Sequence, residues 1–276
     1  MKDNKVKLLI IGILLCIIYW PTFLWMKERF EWAGSYYSHG FIVPFIVAFL
    51  VWKKKEVFIG SVKPADAGLT MLIISLFIHV ISYAWKIYFI SGFSMIFTLA
   101  GLIVYLFGFR ALKELWFPLS FLIFMIPLPI LVIDNVSFKL KIFVAQVATH
   151  IINLLGIQAE RQGSEVILQN TSLMIGSPCS GLRSLISLTA LGSLYAYLVN
   201  LTNTRKMILF ISSIPLALLS NIIRVVLLLW VARGWGSEAA TGWFHDFSGL
   251  LVFVFAFLGL KITDNILSWK TETQNT

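Results

Sequence analysis

Long apolar segments separated by short polar stretches run through the whole chain. A helix needs about 20 apolar residues to cross a bilayer, and eight segments approach or exceed that length. The predicted spans are 6–26, 38–52, 67–85, 87–108, 114–133, 182–201, 206–232 and 247–268. The pattern therefore predicts an all-α multi-pass membrane protein, with residues 1–276 forming a single transmembrane domain.

The segment between the fifth and sixth predicted spans, 134–181, has a different pattern. Its first part, 136–156, is apolar but interrupted by charged positions such as Lys139 and Lys141. This is typical of an amphipathic helix that lies in the membrane interface, and we expect such a helix here rather than a ninth span.

A polar stretch, 157–178, follows this predicted helix. It contains the short apolar run Val166-Ile167-Leu168, which predicts a small hairpin or an ordered loop. The polar tail at 270–276 is predicted to be disordered.

Composition excludes an ordinary soluble protein. Hydrophobic residues make up 59% of the chain and charged residues only 13%, with a mean hydropathy of +0.88, whereas a soluble domain carries about 25% charge. The net charge of +9 would suggest nucleic-acid binding in a soluble protein. Here the basic residues lie mostly in short loops, where they orient membrane proteins and contact anionic lipids, so no nucleic-acid partner is expected.

The distribution of Lys and Arg predicts an orientation. With the N-terminus inside and eight alternating spans, twelve basic residues lie on the inner side and seven on the outer side. Both termini are then cytoplasmic. The loops 27–39, 134–181 and 233–246 lie on the extracytoplasmic side of a cell inner membrane.

Cys179 is the first candidate for chemistry, at the start of the sixth predicted span. The only other cysteine, Cys16, lies in an apolar run, so no disulfide is expected. A thiol at a helix N-terminus feels the positive end of the helix dipole, and Arg183 is one turn further on. Both effects predict a lowered pKa for Cys179 and hence a nucleophilic thiolate. A buried, inert cysteine is the alternative.

Arg224 is the second candidate, because a guanidinium deep in an apolar helix is functional by default. It can bind a carboxylate or stabilise an oxyanion. Asn221 lies one turn earlier on the same face and could orient it. The alternative is that Arg224 snorkels to the outer headgroups.

His245, next to Asp246 at the mouth of the last span, can act as a general acid or base near neutral pH. The alternative is an interfacial histidine in an aromatic belt. His39 could bind substrate or cap an interface, whereas His79 and His150 lack polar neighbours in the sequence and are interpreted as structural. The sequence contains no carboxylate pair, metal-ligand spacing or phosphate-binding loop, so neither a metal nor a cofactor is expected.

Several short motifs in a fixed order resemble the exosortase/archaeosortase family of membrane cysteine transpeptidases. The motifs are Tyr37-Ser-His-Gly-Phe-Ile-Val-Pro44, Pro118-Leu, Ile126-Pro-Leu-Pro129, Pro178-Cys-Ser-Gly-Leu-Arg183, Asn221-Ile-Ile-Arg224 and His245-Asp-Phe-Ser-Gly249. Each motif alone is weak, but the ordered set covers nearly the whole chain. The resemblance implies that Cys179, Arg224 and His245 are catalytic. The supporting or substrate-binding candidates are Arg183, His39, Asn221, Asp246 and Ser180.

The resemblance also implies the substrate class. Members of this family recognise exported proteins whose C-terminal tail has a short motif, often Pro-Glu-Pro, then one transmembrane helix and a basic cluster. They are thought to cut near the motif and to pass the new C-terminus to a lipid- or polysaccharide-linked acceptor. Three alternatives remain open at this point: a transporter or channel component with Arg224 and His245 lining a pathway, another membrane transferase, and a simple hydrolase.

Overall fold

The computed structural model describes residues 2–32, 34–58, 63–176 and 179–272. They form two compact units, 1–129 and 130–276. Candidate active-site residues of the second unit come from its sheet-to-helix connection and its last two helices.

The described residues of the first unit form six α-helices. They are α1 (Lys2–Ile18), α2 (Trp20–Glu31), α3 (Val43–Lys53), α4 (Ala67–Ala84), α5 (Tyr88–Phe107) and α6 (Phe109–Phe121), with a 3₁₀ turn at Ser38–Phe41 before α3 and another at Leu122–Met125 after α6. The antiparallel neighbours α4 and α5 approach closely where Gly68 faces the backbone of Gly101 and Tyr105. Small residues allow this approach, as is common between membrane helices.

A buried polar network ties the junction between α1 and α2 to α4 and α5. His79 Nε2 faces the carbonyl of Ile18 at 3.1 Å, and His79 Nδ1 faces Ser91 Oγ at 2.8 Å. Tyr19 Oη lies 2.8 Å from Thr98 Oγ1. The sequence-based view that His79 lacks polar company is therefore wrong, because its partners come from other helices. Its interpretation as structural agrees with these contacts, since interhelical hydrogen bonds hold membrane helices together.

The described residues of the second unit form four α-helices and a small sheet. They are α7 (Ile130–Leu154), β1 (Ala159–Gln162), β2 (Glu165–Leu168), β3 (Ser172–Met174), α8 (Leu182–Leu198), α9 (Asn203–Thr241) and α10 (Trp243–Glu272). The strands form an antiparallel sheet in the order β1-β2-β3. The hairpin predicted within 157–178 is thus present and is extended by a third strand.

One face of the sheet packs into the core of this unit. Val166 and Leu173 are buried together with Val144 of α7 and with Val225 and Leu228 of α9. Cys179 belongs to the same buried cluster. The core therefore holds the segment around Cys179 against α9.

Among the described residues, four helices are long and apolar enough to cross a membrane: α4, α5, α9 and α10. The number rises to six if each of two bent helix pairs is one span, the first pair being α1 and α2, bent by 63°. Two more predicted spans correspond to short helices, α3 of 11 residues and α8 of 17. The multi-pass all-α architecture is confirmed, and the count of eight spans is not.

The structure differs in detail from the predictions for the interfacial helix, the span 114–133 and the C-terminal tail. The segment expected to be an interfacial helix is α7, which begins at Ile130 rather than at 136. The predicted span 114–133 is interrupted between 126 and 129, where Pro127 and Pro129 interrupt the helix. Helix α10 continues to Glu272, so only residues 273–276 of the tail predicted to be disordered lie outside the described residues.

Candidate active site

Cys179 lies in the connection between β3 and α8. Its backbone N–H donates to the carbonyl of Gly176 at 3.0 Å. Gly181 then adopts φ +82°, a left-handed conformation that suits glycine, and α8 begins at Leu182. The Ser180 hydroxyl oxygen accepts from the Leu182 N–H at 3.3 Å. This turn presents the Cys179 side chain toward α9 and α10.

The thiol of Cys179 is in contact with His245, in the first turn of α10. The distance from Cys179 Sγ to His245 Nε2 is 3.2 Å. On the other side of the ring, His245 Nδ1 lies 3.5 Å from Asp246 Oδ1. The Asp246 side chain is 93% exposed, so water weakens this contact, and Asp246 can orient the ring only modestly.

Arg224 of α9 contacts the same histidine at two atoms. Its Nη2 lies 3.2 Å from His245 Nε2 and donates to the His245 carbonyl at 3.0 Å. Its Nε donates to Ser248 Oγ at 3.1 Å, and Ser248, which is fully buried, donates in turn to the His245 carbonyl at 2.9 Å. The guanidinium is therefore held at two of its nitrogens beside the thiol and the imidazole.

The hydrogen bonds fix the tautomer of His245. A guanidinium can only donate, so His245 Nε2 must accept from Arg224 and carries no proton. The ring proton is then on Nδ1, which faces Asp246. Cys179 Sγ faces the same Nε2 lone pair, so the thiol S–H and the Arg224 N–H share a single acceptor. Transfer of the thiol proton to Nε2 thus requires Arg224 to give up its own contact with that nitrogen.

The pKa of Cys179 does not follow the sequence-based expectation. Burial of the thiol, which is 9% exposed, raises its pKa above the ordinary value, and the positive charge of Arg224 opposes this only in part. The predicted lowering by Arg183 is wrong, because the cation that acts on the thiol is Arg224. In this arrangement Cys179 is a thiol held against its base rather than a preformed thiolate.

Asn221 supports the nucleophile rather than Arg224. It is fully buried, and its Nδ2 donates to the Cys179 carbonyl at 3.1 Å. A Cβ on Gly181 would lie 2.7 Å from this nitrogen, so the glycine is required by close approach as well as by its φ. Asn221 Oδ1 is buried and has no hydrogen-bond partner among the described residues. Asn221 therefore fixes the turn that carries Cys179.

The remaining candidates lie in different surroundings. Arg183 Nε is buried and has no hydrogen-bond partner in the described part of the chain. His39 belongs to the first unit, where its Nε2 faces the Phe124 carbonyl at 3.2 Å. Ser248 was not singled out from the sequence, although it stands one helical turn after His245 in the same motif.

The space beside the thiol is small. A cavity of about 20 Å³ is lined by β3 residues, by Cys179 and His245, and by the end of α9, and this volume holds about one water molecule. Among the described residues, no group of three or more His, Cys, Asp or Glu side chains could hold a metal ion. What the arrangement offers is a thiol, a base that accepts from it, and a fixed cation.

These features define a multi-pass membrane protein with a partly buried cysteine–histidine–arginine cluster. The sequence pattern of the family described as transmembrane exosortase (Exosortase_EpsH) matches residues 31–261, a range that contains Cys179, Arg224 and His245. The chain belongs to this family. No curated protein and no solved structure matches it.

Proposed function

We propose that this protein is a membrane cysteine peptidase and transpeptidase that processes the C-terminal sorting tails of exported, membrane-anchored proteins. Membership of the transmembrane exosortase family supports a membrane sorting protease or transpeptidase. The observation that carries the proposal for this chain is the 3.2 Å contact between Cys179 Sγ and His245 Nε2, with Arg224 on the same nitrogen. Nucleophile and base within hydrogen-bond reach are the signature of covalent catalysis.

The first half of the reaction forms an acyl-enzyme. Arg224 turns one N–H from His245 Nε2 toward the scissile carbonyl oxygen, and the freed lone pair takes the thiol proton of Cys179. The sulfur attacks the carbonyl carbon, and Arg224 stabilises the negative charge that develops on oxygen. The imidazolium then gives its proton to the leaving amine, the C–N bond breaks, and a thioester remains on Cys179.

The second half transfers the acyl group. Neutral His245 removes a proton from the acceptor nucleophile, which attacks the thioester carbonyl. The C–S bond breaks, and the proton returns from His245 to the sulfur of Cys179. A lipid- or polysaccharide-linked acceptor gives transpeptidation, whereas water gives hydrolysis. The mass of the processed C-terminus distinguishes the two.

We further propose that the site lies on the extracytoplasmic side of the inner membrane, with both termini in the cytoplasm. The excess of basic residues in the predicted inner loops supports this orientation. Exported substrates anchored by a C-terminal helix would then present their cleavage motif at the level of the site.

The test uses an exported reporter fused to a tail of motif, transmembrane helix and basic cluster taken from the source genome. Cys179→Ala should abolish processing, and Cys179→Ser should nearly do so because a hydroxyl is a weaker nucleophile. Cys16→Ala is the matched control, since Cys16 is an exposed cysteine of the first unit, and should process normally. Undiminished processing by Cys179→Ala would overturn the proposal.

A further inference from the structure

Strand β3 bonds to β2 through alternate residues. The Ile175 N–H donates to the Ser164 carbonyl at 2.9 Å, and the Thr171 carbonyl accepts from the Leu168 N–H at 2.8 Å. In an antiparallel ladder, hydrogen-bonded and non-hydrogen-bonded pairs alternate. The backbone groups of Thr171, Leu173 and Ile175 therefore point toward β2.

The intervening residues, Ser172 and Met174, point their N–H and C=O groups the other way. Because β3 is the last strand of the sheet, no described strand pairs with this side, and it is an open edge. Among the described residues, the backbone of Met174 forms no hydrogen bond outside the three-stranded sheet, and its side chain is exposed. An open edge strand is a template for pairing with another extended chain.

At the opposite edge of the sheet, the outward backbone groups of Ala159 are capped by a side chain of α7. On β1, Ala159 points away from β2, and both of its backbone groups are satisfied by one side chain: its N–H donates to Asn153 Oδ1 at 2.8 Å, and its carbonyl accepts from Asn153 Nδ2 at 2.9 Å. The sheet is thus capped by α7 at β1 and left open at β3.

The open edge is continuous with the candidate active site. Met174 is five residues before Cys179 in the sequence. It lines the same small cavity as Cys179 and His245, opposite Ala240 and Thr241 at the end of α9. A chain paired with β3 would consequently pass beside the thiol.

We propose that the substrate segment next to the scissile bond binds by β-strand addition to the open edge of β3, with the backbone of Met174 as its central hydrogen-bonding partner. This proposal rests on the proposed function. The occupant is an extended polypeptide, because only a peptide backbone repeats a donor and an acceptor at the spacing that a strand edge presents. Recognition through backbone groups tolerates varied side chains and sets the register of the scissile bond relative to Cys179.

The small volume of the cavity beside Cys179 limits how the substrate peptide can bind. A volume of about 20 Å³ cannot enclose a residue, so the peptide runs along the exposed edge and only the reacting carbonyl approaches the thiol. The part of the cavity wall formed by Ala240 and Thr241 lies between Gly236, with φ +85°, and Gly242. These helix breaks are the places where that wall can yield to the bound chain.

Met174→Pro tests the proposal, because it removes the outward N–H without touching the β2–β3 ladder. Proline is tolerated on an edge strand when its nitrogen faces away from the sheet. We expect kcat/KM for the tailed reporter to fall about tenfold, the effect of losing one backbone hydrogen bond in the bound state. Met174→Ala keeps the N–H, so its loss should be smaller than that of Met174→Pro and measures the contribution of the Met174 side chain alone.

Arg161→Pro is the matched control, since Arg161 is an outward-facing position on β1, at the other edge of the sheet. Arg161→Pro should leave kcat/KM for the tailed reporter nearly unchanged. Equal activity of Met174→Pro and wild type, or equal losses in Met174→Pro and Arg161→Pro, would overturn strand addition. The proposed function would still stand if Cys179→Ala were inactive in the same assay.

A second measurement uses the wild-type protein and so does not depend on a variant folding. Tail peptides in which one backbone amide is replaced by an ester lose a single N–H donor. Strand addition predicts that esters at every second position next to the cleavage site slow processing and that esters between them do not. Uniform effects along the peptide would contradict the proposal.

Discussion

Replacing Arg224 with lysine keeps the positive charge but removes the planar fork that contacts His245 and Ser248. The guanidinium uses Nε and Nη2 for three hydrogen bonds of 3.0 to 3.2 Å. A single ammonium nitrogen cannot occupy both positions, so it cannot be held by Ser248 while it reaches the developing oxyanion. The substitution therefore tests geometry rather than charge.

The expected magnitude follows from the role proposed for this side chain. Loss of one well-placed oxyanion donor lowers turnover about 10²- to 10³-fold, or about 2.7–4 kcal/mol of transition-state stabilisation. The fall should lie in kcat more than in KM, because the charge on oxygen develops only in the transition state. Ser248→Ala removes the contact with Nε alone and should cost about tenfold or less, which is at most about 1.4 kcal/mol.

The assay is the initial rate of tail removal from the reporter in proteoliposomes, at several substrate concentrations. Thermal unfolding of each purified variant shows whether the fold is retained. Turnover of Arg224→Lys within about threefold of wild type, well short of the oxyanion-donor effect, would refute the assignment and leave Arg224 a structural role. A smaller loss in Arg224→Lys than in Ser248→Ala would also contradict it.

Three further predictions follow from other features of the site. Asn221→Leu leaves the buried Cys179 carbonyl without its donor, so it should lower the free energy of unfolding by about 1–3 kcal/mol and also lower kcat. An unchanged melting temperature and unchanged activity would exclude the positioning role. Burial raises the pKa of Cys179, so alkylation of this thiol in the substrate-free protein should be slow at neutral pH and its rate should still rise above pH 9.0, the ordinary pKa of a thiol. An alkylation rate that reaches its plateau below pH 8 would contradict a protonated resting thiol. With Cys16 and Cys179 changed to alanine, Gln169→Cys in the exposed turn between β2 and β3 should react with a membrane-impermeant thiol reagent in intact cells. Labelling only after permeabilisation would reverse the proposed orientation.

The hydropathy pattern is sufficient to predict the long regular helices, but it does not predict where the chain bends. Helices α4, α5, α9 and α10 are long enough for their apolar character to define them. Local composition does not reveal that 6–26 becomes two helices meeting at 63°, because proline at the start of α2 is compatible with either a kink or a new helix. The third strand of the sheet was missed because three residues are too few for an alternating pattern.

At the candidate active site, too, the local sequence identifies the key residues, whereas their contacts depend on residues far along the chain. Cys179, Arg224 and His245 stand out because reactive or charged groups are costly in apolar segments. Their electrostatics depend on burial and on partners far along the sequence: Arg224, 45 residues from Cys179, supplies the cation expected from Arg183. Likewise, Asn221 faces Cys179 rather than Arg224 because the turn at Gly181 lies against it.

The measurement that tests the central claim most directly is mass mapping of the protein during turnover of the tailed reporter without an acceptor. The account predicts that the peptide containing Cys179 carries the new C-terminus of the reporter as a thioester that hydroxylamine releases. An acyl group on any other residue, or tail removal by Cys179→Ala, would contradict it.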